Sequence, residues 1–245
     1  MKYLFVGDVH NHKYIFEDVH QLDEKYKFDK IIFVGDYVDD WKTDNHNSLE
    51  TLNIVINLKN TNPDKYFFTL GNHELSYLGY PCSGHKYELE DVVRNKLEEN
   101  IDCFDCYKSI ICGQNEFICT HAGLTYGYAT TILGEDWKTV LDEFNANKLN
   151  NLRLLTLCSR FRGGNSEYSS FLWSDIREHK YLRMLEEKYI PNQIIGHTPV
   201  KSVYYDNEAN HYFIDTHSTY SDGTPIGDKS YLMWNDTKFL VVNNV

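Results

Sequence analysis

Five short turns, each with a glycine and side chains suited to metal binding, constrain this sequence more than any other feature. They are residues 7–10, 35–39, 71–74, 120–123 and 196–199. Four of the five directly follow an apolar run that is typical of a strand. Because a hydrophobic core has no use for Asp, His and Asn at such positions, the pattern predicts metal ligands gathered from the ends of several strands.

Hydrophobic periodicity predicts alternating strands and helices in the first part of the chain. Strands are expected at 3–6, 30–34 and 66–70, with helices at about 12–27 and 47–59 between them. This order indicates a parallel or mixed sheet covered by helices. Open α/β sheets bind ligands at the carboxyl ends of their strands, which is where the first three turns fall.

The remaining pattern is more varied. Helices are predicted at about 86–100, 134–150 and 175–188, and strands near 107–112, 116–120 and 193–195. After these, short alternating runs predict an antiparallel meander with strands at 202–205, 211–214, 231–234 and 239–242. The simplest interpretation is one domain over 1–245, with two facing sheets and a helical or irregular insertion at about 124–180 that forms a substrate rim.

Composition restricts the partners that this chain can have. Its 245 residues are enough to bury a substantial core, and 24 basic against 36 acidic residues give a net charge of −12. Such acidity disfavours binding to the nucleic-acid backbone, which needs clustered Lys and Arg. A phosphorylated substrate is still possible, because bound metal ions can reverse the local charge.

The cysteines and the N-terminus favour a cytoplasmic protein. Of six cysteines, only Cys103 and Cys106 have CxxC spacing, and no second pair follows. Ordinary reduced thiols are therefore favoured over a zinc knuckle. The first apolar stretch ends at Val6, which is too short for a signal peptide, and no apolar run approaches the roughly 20 residues of a membrane span.

The polar side chains of the five turns suit a pair of divalent ions. Asp8 and His10 are two residues apart on extended backbone and point the same way, and Asp36 can bridge two ions with its two oxygens. The later turns add Asn72, His121 and His197. Oxygen and imidazole ligands together suit manganese, iron, zinc or cobalt rather than calcium. Two such ions about 3.5–4 Å apart generate a hydroxide nucleophile, so a two-metal phosphoesterase is expected.

The order GDxH, GDxVD, GNHE, HAG and GH resembles the calcineurin-like metallophosphoesterase superfamily, over residues 7–199. Val38, Asp39 and Glu74 look like its phosphoprotein-phosphatase branch. The HAG and GHTP forms are more similar to small bacterial and phage phosphatases and to symmetrical dinucleoside tetraphosphatases. The resemblance implies a four-layer αββα sandwich, with two mixed sheets flanked by helices.

The resemblance also implies a role for each ligand. Asp8, His10 and Asp36 would hold the first metal. The second metal would be held by Asp36, Asn72, His121 and His197. His73 would be the general acid that protonates the leaving alkoxide, and Asp39 would orient it and favour its protonated form.

One departure from the family pattern concerns the substrate. Where the phosphoprotein phosphatases carry an arginine that clamps the phosphate, this chain has Asp40, which repels a phosphate. Arg160 and Arg162 are the candidate replacements, with surface arginines as the alternative. Asp175 lies in a Trp-Ser-Asp segment that resembles a phosphatase signature. It is expected to hold other residues of the site in place. The alternative for Asp175 is a helix N-cap.

The motifs and the resemblance are compatible with three functions. The first is a metal-dependent phosphomonoesterase that acts on phosphoprotein or on a small phosphate ester, with manganese as the preferred metal. The second is a dinucleoside tetraphosphate hydrolase with the same centre and a nucleotide substrate. The third is a noncatalytic scaffold. Trp41, Tyr77 and Tyr80 could form the rim of the site, although packing is favoured, and His12 and His217 are expected mainly outside the centre.

Overall fold

Two mixed β-sheets lie face to face in the computed structural model, which describes residues 1–80, 82, 85–134, 136–183 and 191–243. The first sheet has the strand order β11-β10-β1-β2-β3-β4. Its strands are β1 (Tyr3–Val6), β2 (Lys30–Phe33), β3 (Tyr66–Thr69), β4 (Phe104–Asp105), β10 (Tyr231–Trp234) and β11 (Phe239–Val242). Strands β1 to β4 are parallel, while β10 and β11 are antiparallel to their neighbours.

The second sheet has the order β5-β6-β7-β9-β8. Its strands are β5 (Lys108–Cys112), β6 (Asn115–Thr120), β7 (Asn192–Ile195), β8 (Tyr204–Asp206) and β9 (His211–Phe213). The central strands β6, β7 and β9 are parallel, and an antiparallel strand lies at each edge. The carboxyl ends of β6 and β7 therefore lie at one edge of this sheet.

Helices flank the sheets. They are α1 (Tyr14–Tyr26), α2 (Asn45–Thr61), α3 (Asn72–Tyr77), α4 (Glu90–Glu99), α5 (Trp137–Ala146), α6 (Leu152–Leu155) and α7 (Ile176–Arg183). A π-helical stretch spans Tyr128–Leu133, and short 3₁₀ turns span Ile101–Cys103, Lys148–Asn151 and Arg160–Arg162. Helix α2 begins cleanly because the Asp44 carboxylate accepts hydrogen bonds from the backbone of His46 and Asn47.

The alternation of side chains along β1 and β2 divides the core into two layers. Phe5 and Ile32 point into the layer between the sheets, where they join residues of the second sheet such as Phe117 and Ile194. The intervening residues, such as Leu4, pack on the other face with the helices. Since both faces of these strands are buried, their sequences are apolar apart from Lys30 at the start of β2, as expected for parallel strands.

The sequence predicted most elements within a few residues, with one error of topology. The last four strands do not form a meander, because β8 and β9 belong to the second sheet whereas β10 and β11 pair with β1 of the first. Helix α3 was not predicted, since it begins inside the third turn. The predicted helix at 175–188 corresponds to α7, and its residues 184–188 lie outside the described part of the chain.

The two cysteines of the CxxC pair have different neighbours. The Cys106 thiol donates to the Phe144 carbonyl at 3.6 Å, and Cys103 Sγ lies 4.0 Å from Asn60 Oδ1. All six cysteines are free. Among the described helices, none combines the length and the apolar character needed to cross a bilayer.

Candidate metal centre

The turns that follow β1, β2, β3, β6 and β7 meet at one edge of the two sheets. Backbone hydrogen bonds hold them together: the amides of Val9 and His10 both donate to the Asp36 carbonyl, at 2.9 and 2.8 Å. The Gly196 amide donates to the His121 carbonyl at 2.8 Å. The five segments identified in the sequence therefore form one site.

Several site residues lie on left-handed backbone. His10, Asp36, Asp39 and His197 have φ angles of 44°, 53°, 60° and 63°. Non-glycine residues rarely adopt this conformation, which stores on the order of 1–3 kcal/mol each and persists only where the surroundings enforce it. The strain at these positions indicates that the turns are shaped for function rather than for stability.

Amide, imidazole and carboxylate groups converge beside Asp36. The His121 Nε2 atom lies 3.3 Å from Asp36 Oδ2 and 2.9 Å from Asn72 Oδ1. His197 Nδ1 lies 3.0 Å from the same His121 nitrogen. Ligand atoms of Asp36, His121 and His197 all lie within 4.8 Å of one another. The four residues predicted for the second metal are thus brought together.

A second group of ligands includes the same carboxylate. His10 Nε2 lies 3.7 Å from both Asp8 Oδ2 and Asp36 Oδ2. His10, Asp36 and His73 form another set of ligand atoms within 4.8 Å of one another. Asp36 therefore belongs to both groups, as the bridging role requires. His73 enters the group as well, so proximity alone does not distinguish a ligand from an acid at this position.

Backbone carbonyls fix the tautomers of two histidines. His10 Nδ1 lies 2.8 Å from the Asp39 carbonyl, and His121 Nδ1 lies 2.8 Å from the Val34 carbonyl. Since a carbonyl only accepts, each Nδ1 must carry the proton, and in a neutral ring each Nε2 then presents its lone pair toward Asp36. Metal-binding histidines are commonly oriented in this way by a carbonyl on the opposite nitrogen.

Two glycines allow the candidate metal-binding carboxylates to approach the backbone. A Cβ atom added to Gly71 would lie 2.1 Å from Asp36 Oδ1, and one added to Gly196 would lie 2.2 Å from Asp8 Oδ1. Without a side chain there, these two oxygens come close enough to accept hydrogen bonds from the backbone amides of His73 and His197, each at 2.9 Å. Glycine is therefore needed at positions 71 and 196, because a side chain there would collide with the carboxylate oxygens.

The electrostatics of the centre are those of a cation site. Burial, reinforced by the charge of Asp215, raises the pKa of Asp8 well above its usual value. Although burial opposes protonation, the charges of Asp36 and Asp8 raise the pKa of His121 to about 9. Buried carboxylates are costly unless paired or bound to metal. The donor set, its burial and its tautomers therefore fit two divalent ions.

His73 is held by a buried carboxylate. Its Nδ1 lies 2.9 Å from Asp39 Oδ2, and the Tyr77 hydroxyl donates to the other oxygen of Asp39. Burial lowers the pKa of His73, but the charge of Asp36 and the hydrogen bond to Asp39 outweigh it and raise the pKa well above its usual value. Tyr77 is fully buried, which agrees with the packing interpretation; its hydrogen bond to Asp39 was not predicted.

Glu74 connects two of the turns, a contact that the sequence did not predict. The side chain is fully buried, and its Oε2 accepts from the amides of Gly71 and Asp36 at 2.8 and 3.0 Å. Its Oε1 accepts from the amides of Tyr37 and Val38 at 2.7 and 3.2 Å. One carboxylate therefore satisfies four backbone donors and fixes the turn that carries Asp36.

The two candidate arginines lie in different environments. Arg162 lines the cavity beside the centre, donates to Thr198 Oγ1 at 2.7 Å and forms an ion pair with Asp175 at 2.9 Å. Arg160 is exposed and is not among the residues that line the cavity. Asp175 also accepts from the Arg177 amide at the start of α7, so it both supports Arg162 and caps the helix.

A cavity of about 540 Å³ opens beside the centre. Asp40 and Trp41 lie on its wall, together with Trp173 and the loop at 218–221. The histidines expected outside the centre do not line it: His12 lies 3.8 Å from Asp40, and His217 is buried with its Nδ1 3.3 Å from Tyr14. Neither His12 nor His217 belongs to the two groups of described ligand atoms that could hold a metal ion.

Comparison with known proteins identifies the family. The sequence model described as "Calcineurin-like phosphoesterase" matches residues 1–219. The chain therefore belongs to the calcineurin-like phosphoesterase family, whose members depend on a dinuclear metal centre. It is a phosphoric ester hydrolase, and it carries groups of His and Asp side chains that could bind metal.

Solved structures share the fold at low sequence identity. The cold-active protein-tyrosine phosphatase of a psychrophilic Shewanella species is 14% identical, with a TM-score of 0.58, and the match covers 99% of this chain and 80% of that one. A Saccharomyces cerevisiae serine/threonine phosphatase with similarity to human PP5 is 15% identical, with a TM-score of 0.58 over 100% and 80% of the two chains. Together with the family match, these likenesses agree with the predicted sandwich of two mixed sheets flanked by helices.

Proposed function

We propose that this chain is a phosphomonoesterase with a dinuclear metal centre, in the manner of the serine/threonine phosphoprotein phosphatases. The observation that carries the proposal is the position of Asp36, whose carboxylate belongs to two groups of ligand atoms, with His73 beside it. A carboxylate shared between two sets of nitrogen and oxygen donors is suited to bridging two ions.

The proposed ligands follow from the contacts around Asp36. Asp8, His10 and Asp36 would hold one ion. The other ion would be held by Asp36, Asn72, His121 and His197. When bound, the two ions supply the Lewis acidity and the activated water that attack on a phosphate ester requires. Manganese as the native metal and a cytoplasmic location stay predictions from the sequence.

His73 is proposed as the general acid. Asp39 stabilises the imidazolium through Nδ1, which leaves the Nε2 proton for the oxygen of the departing alcohol. Because bound ions would neutralise much of the Asp36 charge, the hydrogen bond that His73 Nδ1 donates to Asp39 would be the main contact that favours the protonated ring in the loaded enzyme. The neighbouring Tyr77 hydroxyl holds Asp39 in place.

Arg162 is proposed to contact the phosphate in place of the arginine that Asp40 replaces. Its ion pair with Asp175 and its hydrogen bond to Thr198 hold the side chain at the cavity wall. Arg162 and Trp173 both come from the stretch at 124–180. We therefore propose that this insertion forms the substrate rim of a single phosphoesterase domain, as the sequence predicts.

The charges of the cavity favour a monoester over a tetraphosphate. Its wall carries four aspartates, namely Asp8, Asp36, Asp39 and Asp40. Two divalent ions would cancel these charges. Since Arg162 is already paired with Asp175, protonated His73 would leave about one positive charge, which suits a single phosphate group better than a polyphosphate chain. A tetraphosphate chain is more negative, and no other Lys or Arg lines the described part of the cavity.

A panel of substrates tests this proposal. Metal-free protein supplied with manganese is assayed on a phosphoserine peptide, an aryl monoester, an aryl diester and diadenosine tetraphosphate. We expect hydrolysis of the monoesters, with kcat/KM at least about tenfold above that for the tetraphosphate, because each 1.4 kcal/mol of repulsion is a factor of ten. Preferential cleavage of the tetraphosphate would instead identify a dinucleoside polyphosphate hydrolase.

A further inference from the structure

The cavity is much larger than a phosphoryl group needs. Its volume of about 540 Å³ lies within the range of roughly 300–1,000 Å³ that holds whole organic ligands. Away from the candidate ligands, Asp40 and Trp41 on the turn after β2 form one part of its wall. The loop at 218–221 and Ile226 form another part. This part of the cavity would receive the leaving group of a phosphate bound at the centre.

The loop that begins at residue 218 is held by its own hydrogen bonds. The Tyr220 amide donates to the Thr224 carbonyl at 2.9 Å, and the Gly223 amide donates back to the Tyr220 carbonyl at 2.8 Å. The Thr219 hydroxyl reaches Asp40 Oδ1 at 3.5 Å, which connects this loop to the turn after β2. The two parts of the wall therefore form one continuous surface.

Asp40 has no strong cationic partner among the described residues. Its side chain is only 8% exposed, and it accepts a hydrogen bond from the Lys42 amide at 3.2 Å. The nearest ring nitrogen belongs to His12, at 3.8 Å, and no described Lys or Arg nitrogen comes within 4.0 Å. A nearly buried carboxylate without a counterion is costly, so a positive group in the cavity would stabilise it.

Two aromatic residues line the same cavity as this carboxylate and remain partly exposed. Trp41 is 49% exposed and Tyr220 is 58% exposed, although both line the cavity wall. Large aromatic side chains are normally buried, and their exposed faces attract cations through the quadrupole of the ring. A cavity wall that combines a carboxylate with exposed aromatic rings has the chemistry of a receptor for an ammonium or guanidinium group.

We propose that this part of the cavity, formed by Asp40, Trp41 and Tyr220, binds a cationic group on the alcohol portion of the substrate. The preferred substrate is then a zwitterionic phosphate monoester, with its phosphate at the metal centre and its cation beside Asp40. This inference rests on the proposed function, because it needs the phosphate to be held there. A neutral nucleobase could stack on the rings but would leave the Asp40 charge unpaired.

The required cation can come from two sources with the same chemistry. One is a small amino-alcohol phosphate, in which an ammonium group follows the ester oxygen after two carbons. The other is a phosphoserine peptide with a lysine beside the phosphorylated residue. Both place a positive charge next to a phosphate, and paired substrates distinguish them.

The test uses pairs of substrates that differ only in charge. Phosphocholine is compared with 3,3-dimethylbutyl phosphate, its neutral isostere, and a phosphoserine peptide with an adjacent lysine is compared with the same peptide carrying norleucine. In the manganese-loaded enzyme we expect kcat/KM for the cationic member of at least one pair to exceed that of the neutral member by about tenfold. The pair with the larger ratio identifies the source.

Variants show whether Asp40 causes the preference. Asp40→Asn should reduce the ratio of cationic to neutral kcat/KM by at least about fivefold, and Trp41→Ala should reduce it by about threefold. Trp41 is half exposed, so its replacement is compatible with folding. Asp64→Asn, at an exposed aspartate that does not line the cavity, is the matched control and should keep the wild-type ratio.

The outcomes separate this inference from the proposed function. A wild-type ratio near one for both pairs, or a ratio that Asp40→Asn leaves unchanged, would overturn the cation site while leaving the phosphatase intact. Absence of hydrolysis for every monoester in metal-loaded protein would instead refute the proposed function. A ratio that falls in Asp40→Asn but not in Asp64→Asn supports the inference.

Discussion

At the scale of single residues, His73 is the group whose chemical role depends most clearly on one contact. Asp39 accepts from its Nδ1 at 2.9 Å, and this hydrogen bond favours the protonated ring. A general acid matters most when the leaving alcohol is a poor one. The identity of the leaving group therefore reveals whether His73 acts as an acid.

We predict that His73→Asn slows hydrolysis of an alkyl phosphate by about 10²–10⁴-fold, the usual contribution of general acid catalysis. Hydrolysis of 4-nitrophenyl phosphate should fall much less, because its leaving group needs no proton. Steady-state kcat on the two substrates provides the comparison. Equal losses on both would count against the acid role.

Metal content provides the control for this variant. Because His73 comes within 4.8 Å of His10 and Asp36, it could instead be a ligand. If it is the acid, His73→Asn should still bind two metal ions per chain, as measured by elemental analysis after gel filtration. Loss of one ion in the variant would assign His73 to the metal instead.

His217 should make the folded protein sensitive to acid. Burial, with the nearby His12 and Lys229, lowers the pKa of His217 to about 3 from an ordinary value of 6.5. The unfolded chain therefore binds more protons than the folded chain between these values, and stability is lost as the pH falls below 6.5. From pH 7 to pH 5 this single group should contribute a loss of about 2 kcal/mol.

Urea unfolding of metal-free protein at the two pH values measures this effect. His217→Gln should lose about 2 kcal/mol less than wild type on going from pH 7 to pH 5, because its side chain does not titrate. His20→Gln, at an exposed histidine, is the matched control and should behave like wild type. An equal pH dependence in wild type and His217→Gln would show that His217 does not titrate as described.

The sequence predicted the candidate metal ligands that meet at the centre but not the residues that hold them in place. Asp, His and Asn are unusual directly after an apolar strand, so Asp8 and Asp36 could be identified from the sequence of their own turns. Glu74 and Tyr77 could not be assigned roles, because most of their partners are backbone amides and a carboxylate more than 30 residues away. Such contacts exist only once the turns have met.

At the scale of structural elements, Glu74 decides whether the turn after β2 keeps its shape. It accepts four backbone hydrogen bonds, three of them from Asp36, Tyr37 and Val38 on that turn. We predict that Glu74→Gln lowers the free energy of unfolding by about 2–4 kcal/mol, since the amide leaves buried N–H groups without an acceptor. Urea denaturation of the metal-free proteins measures the difference.

An exposed glutamate supplies the control. Glu143→Gln changes the same group on the surface of α5, and it should shift the free energy of unfolding by less than about 0.5 kcal/mol. Glu74→Gln should also weaken manganese binding, because the Asp36 backbone is no longer fixed. Wild-type stability in Glu74→Gln would mean that the hydrogen bonds accepted by the lost carboxylate oxygen do not stabilise the fold.

Local elements were predictable from the sequence, whereas their pairing was only partly so. The apolar runs of β1, β2 and β3 are separated by helices, which implies parallel pairing and is observed. The short strands β8 to β11 carry the same alternating pattern in either sheet. Nothing in that pattern indicates that β10 pairs with β1, more than 200 residues away, so a local meander was wrongly expected.

At the scale of the whole molecule, two sheets bring five distant turns to one edge and bury several carboxylates there. Asp8, Asp36 and Asp215 are each almost fully buried, and their mutual repulsion is balanced in part by His121. Binding of two divalent ions would relieve this repulsion. The fold and the metal pair should therefore stabilise each other, because a ligand that binds only the folded state adds to its stability.

The most direct test of the dinuclear centre is a titration of metal-free protein with manganese, in which bound metal and hydrolysis of an aryl phosphate are measured together. We predict two ions per chain, no hydrolysis without metal, and full activity only when both sites are filled. Asp36→Asn, which removes the shared carboxylate, should bind manganese weakly and remain inactive. Full activity in metal-free protein, or in Asp36→Asn, would contradict the proposed centre.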